Sequence, residues 1–206
     1  MRIVILDLGA GNLHSLAKAF GRALPEADVA IESDAERAIA SADLLALPGV
    51  GAFGPAAEQL APARQQVRDA VAGGKPTIGI CLGMQLLFDD SDEGSGQGLG
   101  VIPGRVTRMT APRLPHMGWS PLAVATAANA ADSELARVLP SAAYFAHSYA
   151  CHPTEPAHVL STTRVGDQVV AAVVGRDRAY GCQFHPEKSS TEGLRFLGWL
   201  ARKALS

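Results

Sequence analysis

The chain has 206 residues and a formal net charge of −2, and 48% of its residues are hydrophobic, which is enough to bury one large core in a single domain over residues 1–206. Its 18 lysines and arginines are spread along the chain and only 5% of its residues are aromatic, so a nucleic-acid-binding surface is not expected. The apolar runs are strand-length and interrupted by Gly, Pro or charge, and the first residues carry no signal-peptide pattern, so we expect a cytoplasmic protein without a transmembrane helix.

Strand-like and helix-like segments alternate through the first part of the chain, up to residue 88. Apolar runs of strand length are followed by amphipathic helical patterns. The predicted strands cover residues 3–8, 29–31, 44–47 and 77–80, and the predicted helices cover residues 13–24, 35–40, 55–72 and 82–88. Such alternation is typical of doubly wound α/β folds, so we predict a mostly parallel central sheet covered by helices.

The rest of the chain favours β structure and turns. It opens on an acidic, glycine-rich loop, DDSDEGSGQGLG, at residues 89–100. Segments 159–165 and 168–174 flank Gly166 and Asp167, which predicts a hairpin with a two-residue turn. A strand over residues 179–184 and an amphipathic helix over residues 191–204 complete a predicted β-rich C-terminal half.

Two glycine-rich segments have a partial likeness to phosphate-binding loops. GAGNLH, at residues 9–14, follows a strand, but His14 stands where the dinucleotide fingerprint needs its third glycine. GSGQGLG, at residues 94–100, has the wrong spacing and follows a loop, which favours a flexible turn. Neither segment predicts a nucleotide cofactor.

Cys81 lies between a predicted strand and a predicted helix, with Gly79 and Gly83 two residues to either side. G-x-C-x-G at such a turn is the cysteine counterpart of the nucleophile elbow. The turn imposes strained backbone angles, and a Cβ at either flanking position would crowd the strand or the helix. The start of the helix would also favour a thiolate. The alternative is that Cys81 is simply a small buried residue, as free cysteines often are.

A candidate base and its orienting group follow the strand predicted to end at residue 184. QFHPEKSS, at residues 183–190, supplies His185 and Glu187. In doubly wound folds, sites form at the carboxyl ends of the strands, so this segment and Cys81 can meet there. His185 would exchange a proton with the thiol, and Glu187 would fix the imidazole tautomer. Alone, either residue suits a turn or a solvated surface, but together with the elbow they predict a catalytic triad.

Acyl transfer also needs donors for an oxyanion. One is the backbone N–H of Leu82, directly after the nucleophile. LPGVGAFG, at residues 47–54, has glycines at Gly49, Gly51 and Gly54, which would let its backbone approach a ligand closely. A loop that uses glycine only for turns fits this segment equally well.

The three cysteines are an odd number, which argues against a disulfide framework. A zinc site built from Cys182, His185, Cys151 and His152 is the competing interpretation of these residues. Adjacent Cys151 and His152 lack ordinary ligand spacing, and a zinc site leaves Cys81 unexplained. We therefore expect no metal.

Seven motifs follow one another along nearly the whole chain: DLGAGNLHS, LPGVGAFG, GICLGMQLLF, GLGVIPGRV, PHMGW, FAHSY and QFHPEKSS. Together they resemble the class I (triad) glutamine amidotransferases, and more narrowly the glutaminase subunits of imidazole glycerol phosphate synthase. PHMGW and the Lys-Ser-Ser after HPE distinguish the chain from the related anthranilate, carbamoyl phosphate and GMP synthases. The resemblance implies a flavodoxin-like three-layer sandwich.

The resemblance also implies roles for individual residues. It makes Cys81 the nucleophile, His185 the base and Glu187 the orienting carboxylate. It assigns the oxyanion site to Gly51 and Leu82, and glutamine binding to Gln85, His147, Ser148 and Tyr149. Gln85 lies four residues after Cys81, on the same face of the predicted helix, although a solvated helix residue would fit the same pattern.

The reaction implied by the resemblance is glutamine hydrolysis through a γ-glutamyl thioester. The ammonia would pass to a (β/α)8 cyclase subunit, which makes imidazole glycerol phosphate and AICAR in histidine biosynthesis. Because ammonia is mostly protonated in neutral water, the partner must dock directly. PHMGW supplies Met117 and Trp119, the thioether and aromatic side chains that interfaces favour, with core packing as the alternative for Trp119. We also predict Asn12 and Lys188 at that interface, with a solvated lysine as the alternative for Lys188.

Two other function classes remain as alternatives. A cysteine hydrolase of similar fold would carry its supporting carboxylate elsewhere, which the intact HPE and PGVG segments argue against. A non-catalytic scaffold would have lost a triad residue, and all three are present.

Overall fold

An eight-stranded sheet forms the centre of the computed structural model, which describes residues 1–9, 11–49, 51–126 and 133–206. The N-terminal part supplies strands β1 (Arg2–Leu6), β2 (Asp28–Glu32), β3 (Leu44–Leu47) and β4 (Thr77–Ile80). Its helices are α1 (Leu13–Ala23), α2 (Ala35–Ser41), α3 (Phe53–Leu60), α4 (Arg64–Ala72) and α5 (Leu82–Gln85). The predicted alternation of strands and helices is confirmed.

Strands dominate the second part of the chain. They are β5 (Asp90–Ser91), β6 (Gly104–Arg108), β7 (His116–Pro121), β8 (Ala123–Val124), β9 (Ala142–His147), β10 (Tyr149–Pro153), β11 (Val159–Val165), β12 (Gln168–Arg176) and β13 (Ala179–Cys182). The helices here are α6 (Ser133–Val138) and α7 (Ser190–Leu205). Short 3₁₀ turns cover Pro156–His158 and Pro186–Lys188.

The strand order of the central sheet is β2-β1-β3-β4-β13-β12-β11-β8. Neighbours from β2 to β13 are parallel, and the remaining pairs are antiparallel. Smaller sheets are formed by β10-β6-β5 and by β7-β9. The predicted hairpin is confirmed, because Val165 pairs with Gln168 across a turn in which Gly166 has a φ of 60°.

The two largest apolar clusters lie on opposite faces of this sheet, as alternating strand residues require. Along β1, Val4 and Leu6 belong to the cluster that includes residues of α2, α3 and α4. Ile3 and Ile5 belong to the cluster that includes residues of α1 and α7. Because both faces are buried, the strand reads as a continuous apolar run, and the fold is a helix–sheet–helix sandwich.

Several predicted boundaries are wrong. The helix predicted over residues 55–72 is interrupted by a 3₁₀ turn at Ala61–Ala63, because Pro62 lacks the N–H that a helix interior needs. The helix predicted over residues 82–88 ends at Gln85, after which Leu87 and Phe88 make tighter bonds to the carbonyls three residues back. β1 ends at Leu6 rather than at residue 8. None of the described helices is long and apolar enough to cross a bilayer.

Candidate active site

The carboxyl ends of β4 and β13 bring Cys81 and His185 to one edge of the sheet. The two strands are parallel neighbours, with Ile80 opposite Cys182. The Cys81 N–H extends this ladder by donating to the Cys182 carbonyl at 2.7 Å. Residues that follow both strands therefore meet at the edge where doubly wound folds place their sites.

Cys81 lies on a strained turn between β4 and α5. Its φ of 50° and ψ of −103° lie in a region that side chains other than glycine rarely occupy. A Cβ on Gly79 would come within 2.4 Å of the Gly83 carbonyl oxygen. A Cβ on Gly83 would come within 2.0 Å of the Leu47 carbonyl oxygen. Both flanking glycines are therefore required by backbone atoms that cannot move aside, as the sequence predicted.

The glycine-rich loop after β3 packs directly on this elbow. A Cβ on Gly49 would lie 1.6 Å from the Ile80 carbonyl oxygen and 2.6 Å from the Leu82 nitrogen. Gly51, at the far side of the loop, is exposed and has a φ of 123°. Val50 lies outside the described residues, so the predicted donation of a Gly51 N–H to an oxyanion stays a prediction.

His185 is held between Cys81 and Glu187. Its Nδ1 lies 2.8 Å from Glu187 Oε1, and the two side chains are only 2% and 10% exposed. Because a carboxylate accepts, Nδ1 carries a hydrogen, and the interaction with the Cys81 side chain therefore falls to the other side of the ring. The backbone is fixed as well, since the His185 N–H donates to the Tyr144 carbonyl at 2.9 Å.

Burial and hydrogen bonding act in opposite directions on this imidazole. Burial lowers the pKa of His185, but its hydrogen bonds to Cys81 and Glu187 outweigh burial and raise that pKa to about 9. The imidazolium form is therefore favoured at neutral pH. Burial instead raises the pKa of the Cys151 and Cys182 thiols well above the usual value, so these two side chains stay protonated.

The cysteines are unpaired, and within the described ranges there is no group of three or more His, Cys, Asp or Glu side chains arranged to hold a metal ion. Cys81 and Cys182 pack in one apolar cluster, whereas Cys151 packs in the cluster on the other face of the sheet.

Two glutamine side chains link α5 to the nucleophile. Gln85 is 4% exposed, and its Nε2 donates to the Tyr149 carbonyl at 3.5 Å and to Gln183 Oε1 at 3.3 Å. Gln183 Nε2 in turn lies 3.5 Å from Cys81 Sγ. Sequence reasoning missed Gln183. The available signal was a polar residue in a strand-like apolar run immediately before HPE.

The His147–Tyr149 segment connects β9 to β10 beside the nucleophile. Cys81 Sγ lies 4.0 Å from the carbonyl oxygen of Ala146. His147 is buried, and its Nδ1 lies 2.8 Å from the Tyr149 carbonyl oxygen, so Nδ1 is the donor. Burial lowers the pKa of His147 to about 4, so this imidazole is neutral at pH 7. Ser148 lies in the turn, where its carbonyl accepts from the Met109 N–H at 3.0 Å.

The sequence profile of the family "Glutamine amidotransferase class-I" matches residues 4–198. The chain belongs to this family. It is 41% identical to the imidazole glycerol phosphate synthase subunit HisH of Synechococcus sp. (strain JA-3-3Ab), over 96% of this chain and 91% of that protein. It is 44% identical to the HisH subunit of Halobacterium salinarum, over 95% of this chain and 90% of that protein.

Solved structures agree with this assignment at the level of fold. A glutamine amidotransferase crystal structure superposes with a TM-score of 0.74 at 21% identity, covering 98% of both chains. The PurLQS structure from Thermotoga maritima gives a TM-score of 0.67 at 18% identity, over 98% of this chain and 97% of that one. The class I glutamine amidotransferase fold predicted from the motifs is therefore confirmed.

The amidotransferase presents an aromatic and cationic surface near the triad. Met117 and Trp119 on β7 are 63% and 56% exposed, so Trp119 is not a core residue. The Trp119 ring contacts Tyr144 edge-on, with ring centroids 6.5 Å apart. Lys188 Nζ lies 5.8 Å from the centroid of the same Tyr144 ring.

A small cavity lies beside His185 and Glu187. Its volume of about 20 Å³ holds one water-sized molecule. Its lining includes Asn12, Gly49, Ile80, His185, Glu187 and Lys188. Two of the residues predicted for the partner interface thus line the same space as the paired histidine and carboxylate.

Proposed function

We propose that this chain is the glutaminase subunit of an imidazole glycerol phosphate synthase. It hydrolyses glutamine to glutamate and ammonia and supplies the ammonia to a (β/α)8 cyclase subunit in histidine biosynthesis. The single observation that carries the proposal is the contact of His185 with both Cys81 and Glu187 at a glycine-flanked elbow. The assignment to histidine biosynthesis rests on the relatives named HisH, which are 41% and 44% identical over nearly the whole chain.

In the proposed first half-reaction, the Cys81 thiolate attacks the γ-carboxamide carbon of glutamine. The imidazolium of His185 then gives its proton to the leaving nitrogen, so ammonia departs and a thioester remains. A pKa of about 9 suits this role, because His185 is protonated at neutral pH before the attack begins. Glu187 accepts the hydrogen bond from Nδ1, which holds the ring in one tautomer and stabilises its charge.

In the second half-reaction, neutral His185 takes a proton from water as the oxygen attacks the thioester carbon. The tetrahedral intermediate expels the Cys81 thiolate, and glutamic acid leaves and loses its proton to solvent. The thiolate and imidazolium are then restored, so the catalyst is unchanged over one cycle. Water and one glutamine are the only reactants consumed.

The oxyanion of both intermediates would be bound beside the elbow. Leu82 is the first residue of α5, so its N–H has no acceptor within the helix. Gly49 brings the neighbouring loop against that nitrogen, which makes Gly51 the proposed source of a second donor. Loss of one such donor lowers turnover by about 100- to 1000-fold in comparable sites.

Glutamine itself would lie between α5 and the β9–β10 turn. The Gln85 side-chain amide already donates to the Tyr149 carbonyl across this space. We assign glutamine contacts to Gln85 and to residues His147, Ser148 and Tyr149. Their proximity to Cys81 supports the assignment, because the Ala146 carbonyl is 4.0 Å from the sulfur.

The proposed cyclase docks on the face that carries Met117, Trp119, Lys188 and Asn12. Exposed aromatic and thioether side chains are enriched where proteins associate. Asn12 and Lys188 line one small cavity together with His185 and Glu187, which suits a partner that receives ammonia there. We further propose that residues 1–206 act as one domain in the cytoplasm, a reducing compartment that suits three free cysteines.

The test uses Cys81→Ala together with a cyclase barrel from the same organism. The variant should lose synthesis supported by glutamine, because no thioester can form, and should retain synthesis supported by ammonium salt. Both activities are followed by the appearance of AICAR. Equal loss of both would mean that Cys81 has a structural role, and retention of the glutamine-dependent activity would reject the triad.

A further inference from the structure

Gln183 contacts the sulfur of Cys81, yet the triad mechanism gives it no task. The side chain is fully buried between β13 and His185, and its backbone N–H donates to the Ala172 carbonyl at 2.9 Å. Burying an amide is unfavourable unless its polar atoms are paired. Both are paired here, with Gln85 on one side and Cys81 on the other.

The direction of this hydrogen-bond chain is set by a backbone carbonyl. The Tyr149 oxygen can only accept, so Gln85 must turn its NH₂ group towards it. The second hydrogen of that group then reaches Gln183, which must present its oxygen in return. The Gln183 NH₂ group consequently faces Cys81 Sγ, 3.5 Å away. Reversing the Gln183 amide would place two donors against each other, and reversing the Gln85 amide would place its oxygen against two acceptors.

A hydrogen-bond donor at this position would stabilise negative charge on the Cys81 sulfur. The sequence predicted a helix over residues 82–88 whose dipole would favour a thiolate, but α5 spans only Leu82–Gln85. So short a helix contributes little dipole. Hydrogen bonds to an ionised group are stronger than those to a neutral one, so a buried N–H at the sulfur favours the thiolate over the thiol.

We propose that Gln183 is a further catalytic residue, whose side-chain amide donates a hydrogen bond to the Cys81 thiolate while Gln85 locks the amide in that orientation. This inference rests on the proposed function, since it assumes that Cys81 is the nucleophile. The amide also assists the second half-reaction, because the sulfur regains its negative charge when it leaves the thioester. No covalent bond to Gln183 forms or breaks.

The hydrogen-bonded pair of Gln85 and Gln183, which we call the relay, connects substrate binding to the nucleophile. Gln85 is assigned to glutamine contact and is at the same time the group that orients Gln183. A glutamine molecule that hydrogen-bonds Gln85 would therefore act on the amide that faces the sulfur. We expect Gln183→Met to lower kcat and to leave KM nearly unchanged, because the hydrogen bond that it removes is made to the reacting sulfur rather than to the substrate.

The decisive experiment measures alkylation of the intact chain by iodoacetamide as a function of pH, which reports the thiolate without requiring glutamine turnover. Gln183→Met keeps the side-chain length and removes the donor, so alkylation of Cys81 at pH 7 should slow by about tenfold, as expected for the loss of one hydrogen bond to a charged group. Gln183→Glu keeps the shape and places a carboxylate at the sulfur, so it should slow alkylation further.

Gln85→Met provides a variant that leaves β13 intact and only frees the Gln183 amide to turn. It should also slow alkylation, by a smaller factor than Gln183→Met does. If the Gln183 variants fail to fold, the result for Gln85→Met tests the relay in their place. Unchanged alkylation-versus-pH curves in a folded Gln183→Met chain, or in Gln85→Met, would overturn the relay. The proposed function would survive that result, because it is tested separately by the loss of glutamine-dependent synthesis in Cys81→Ala.

Discussion

Replacing Gly79 by alanine tests the steric basis of the nucleophile elbow. The added Cβ would lie 2.4 Å from the Gly83 carbonyl oxygen and 2.6 Å from the Met84 nitrogen. Ordinary contact distances are about 3.5 Å, so the overlap is roughly 1 Å and falls on backbone atoms. Overpacking of this kind costs about 1–3 kcal/mol, and the smaller conformational freedom of the unfolded alanine chain returns about 0.4–1 kcal/mol. We expect a net loss of about 1 kcal/mol in the free energy of unfolding.

The matched control is Gly21→Ala in α1, where an added Cβ would meet nothing within 4 Å. Alanine is the better helix former, so this variant should be more stable by up to about 1 kcal/mol. Urea unfolding followed by circular dichroism measures both. Glutamate release should fall by about 100-fold in Gly79→Ala only, because displacement of α5 by about 1 Å moves the groups around the sulfur. Equal stability and activity of the two variants would refute the steric argument.

Three further predictions concern charge and burial. Glutaminase activity should fall as pH rises through about 9, where the His185 imidazolium is lost, and Glu187→Gln should move this alkaline limit of kcat/KM towards neutral pH. His147 has a folded pKa of about 4 against an ordinary 6.5, so the unfolded chain binds a proton first as pH falls. The free energy of unfolding should therefore drop by about 2 kcal/mol between pH 7 and pH 5 through this residue, and His147→Gln should show a correspondingly shallower drop in urea titrations at the two pH values. Cys151→Ala and Cys182→Ala should keep most glutaminase activity, because burial holds both as thiols, and loss of activity in either would revive a metal site.

Much of the fold and of the triad could be predicted from short stretches of the sequence. Apolar runs with glycine, proline and charge between them predicted β3 and β4 over the same residues that the structure shows. The elbow around Cys81 could be predicted because its steric requirement is met by residues only two positions away. HPE was recognisable because His185 and Glu187 are close in sequence, and their side chains do meet at 2.8 Å.

Features that depend on distant pairing were not predictable in the same way. β7 pairs with β9 in a separate sheet, with His116 opposite His147, and no local pattern specifies that register. β13 lies between β4 and β12 in the sheet although it comes last among the strands. The contact between Gln183 and Cys81 depends on this placement, which is why sequence reasoning passed over Gln183.

The most direct test of the account is covalent labelling by a glutamine analogue that carries a diazo-ketone in place of the carboxamide. The analogue should modify Cys81 alone, and glutamate release should disappear in proportion to the label, as peptide mapping by mass spectrometry would show. Cys81→Ala should remain unlabelled although it still contains Cys151 and Cys182. Inactivation accompanied by labelling at Cys151 or Cys182, with Cys81 unmodified, would contradict the proposal that Cys81 is the nucleophile.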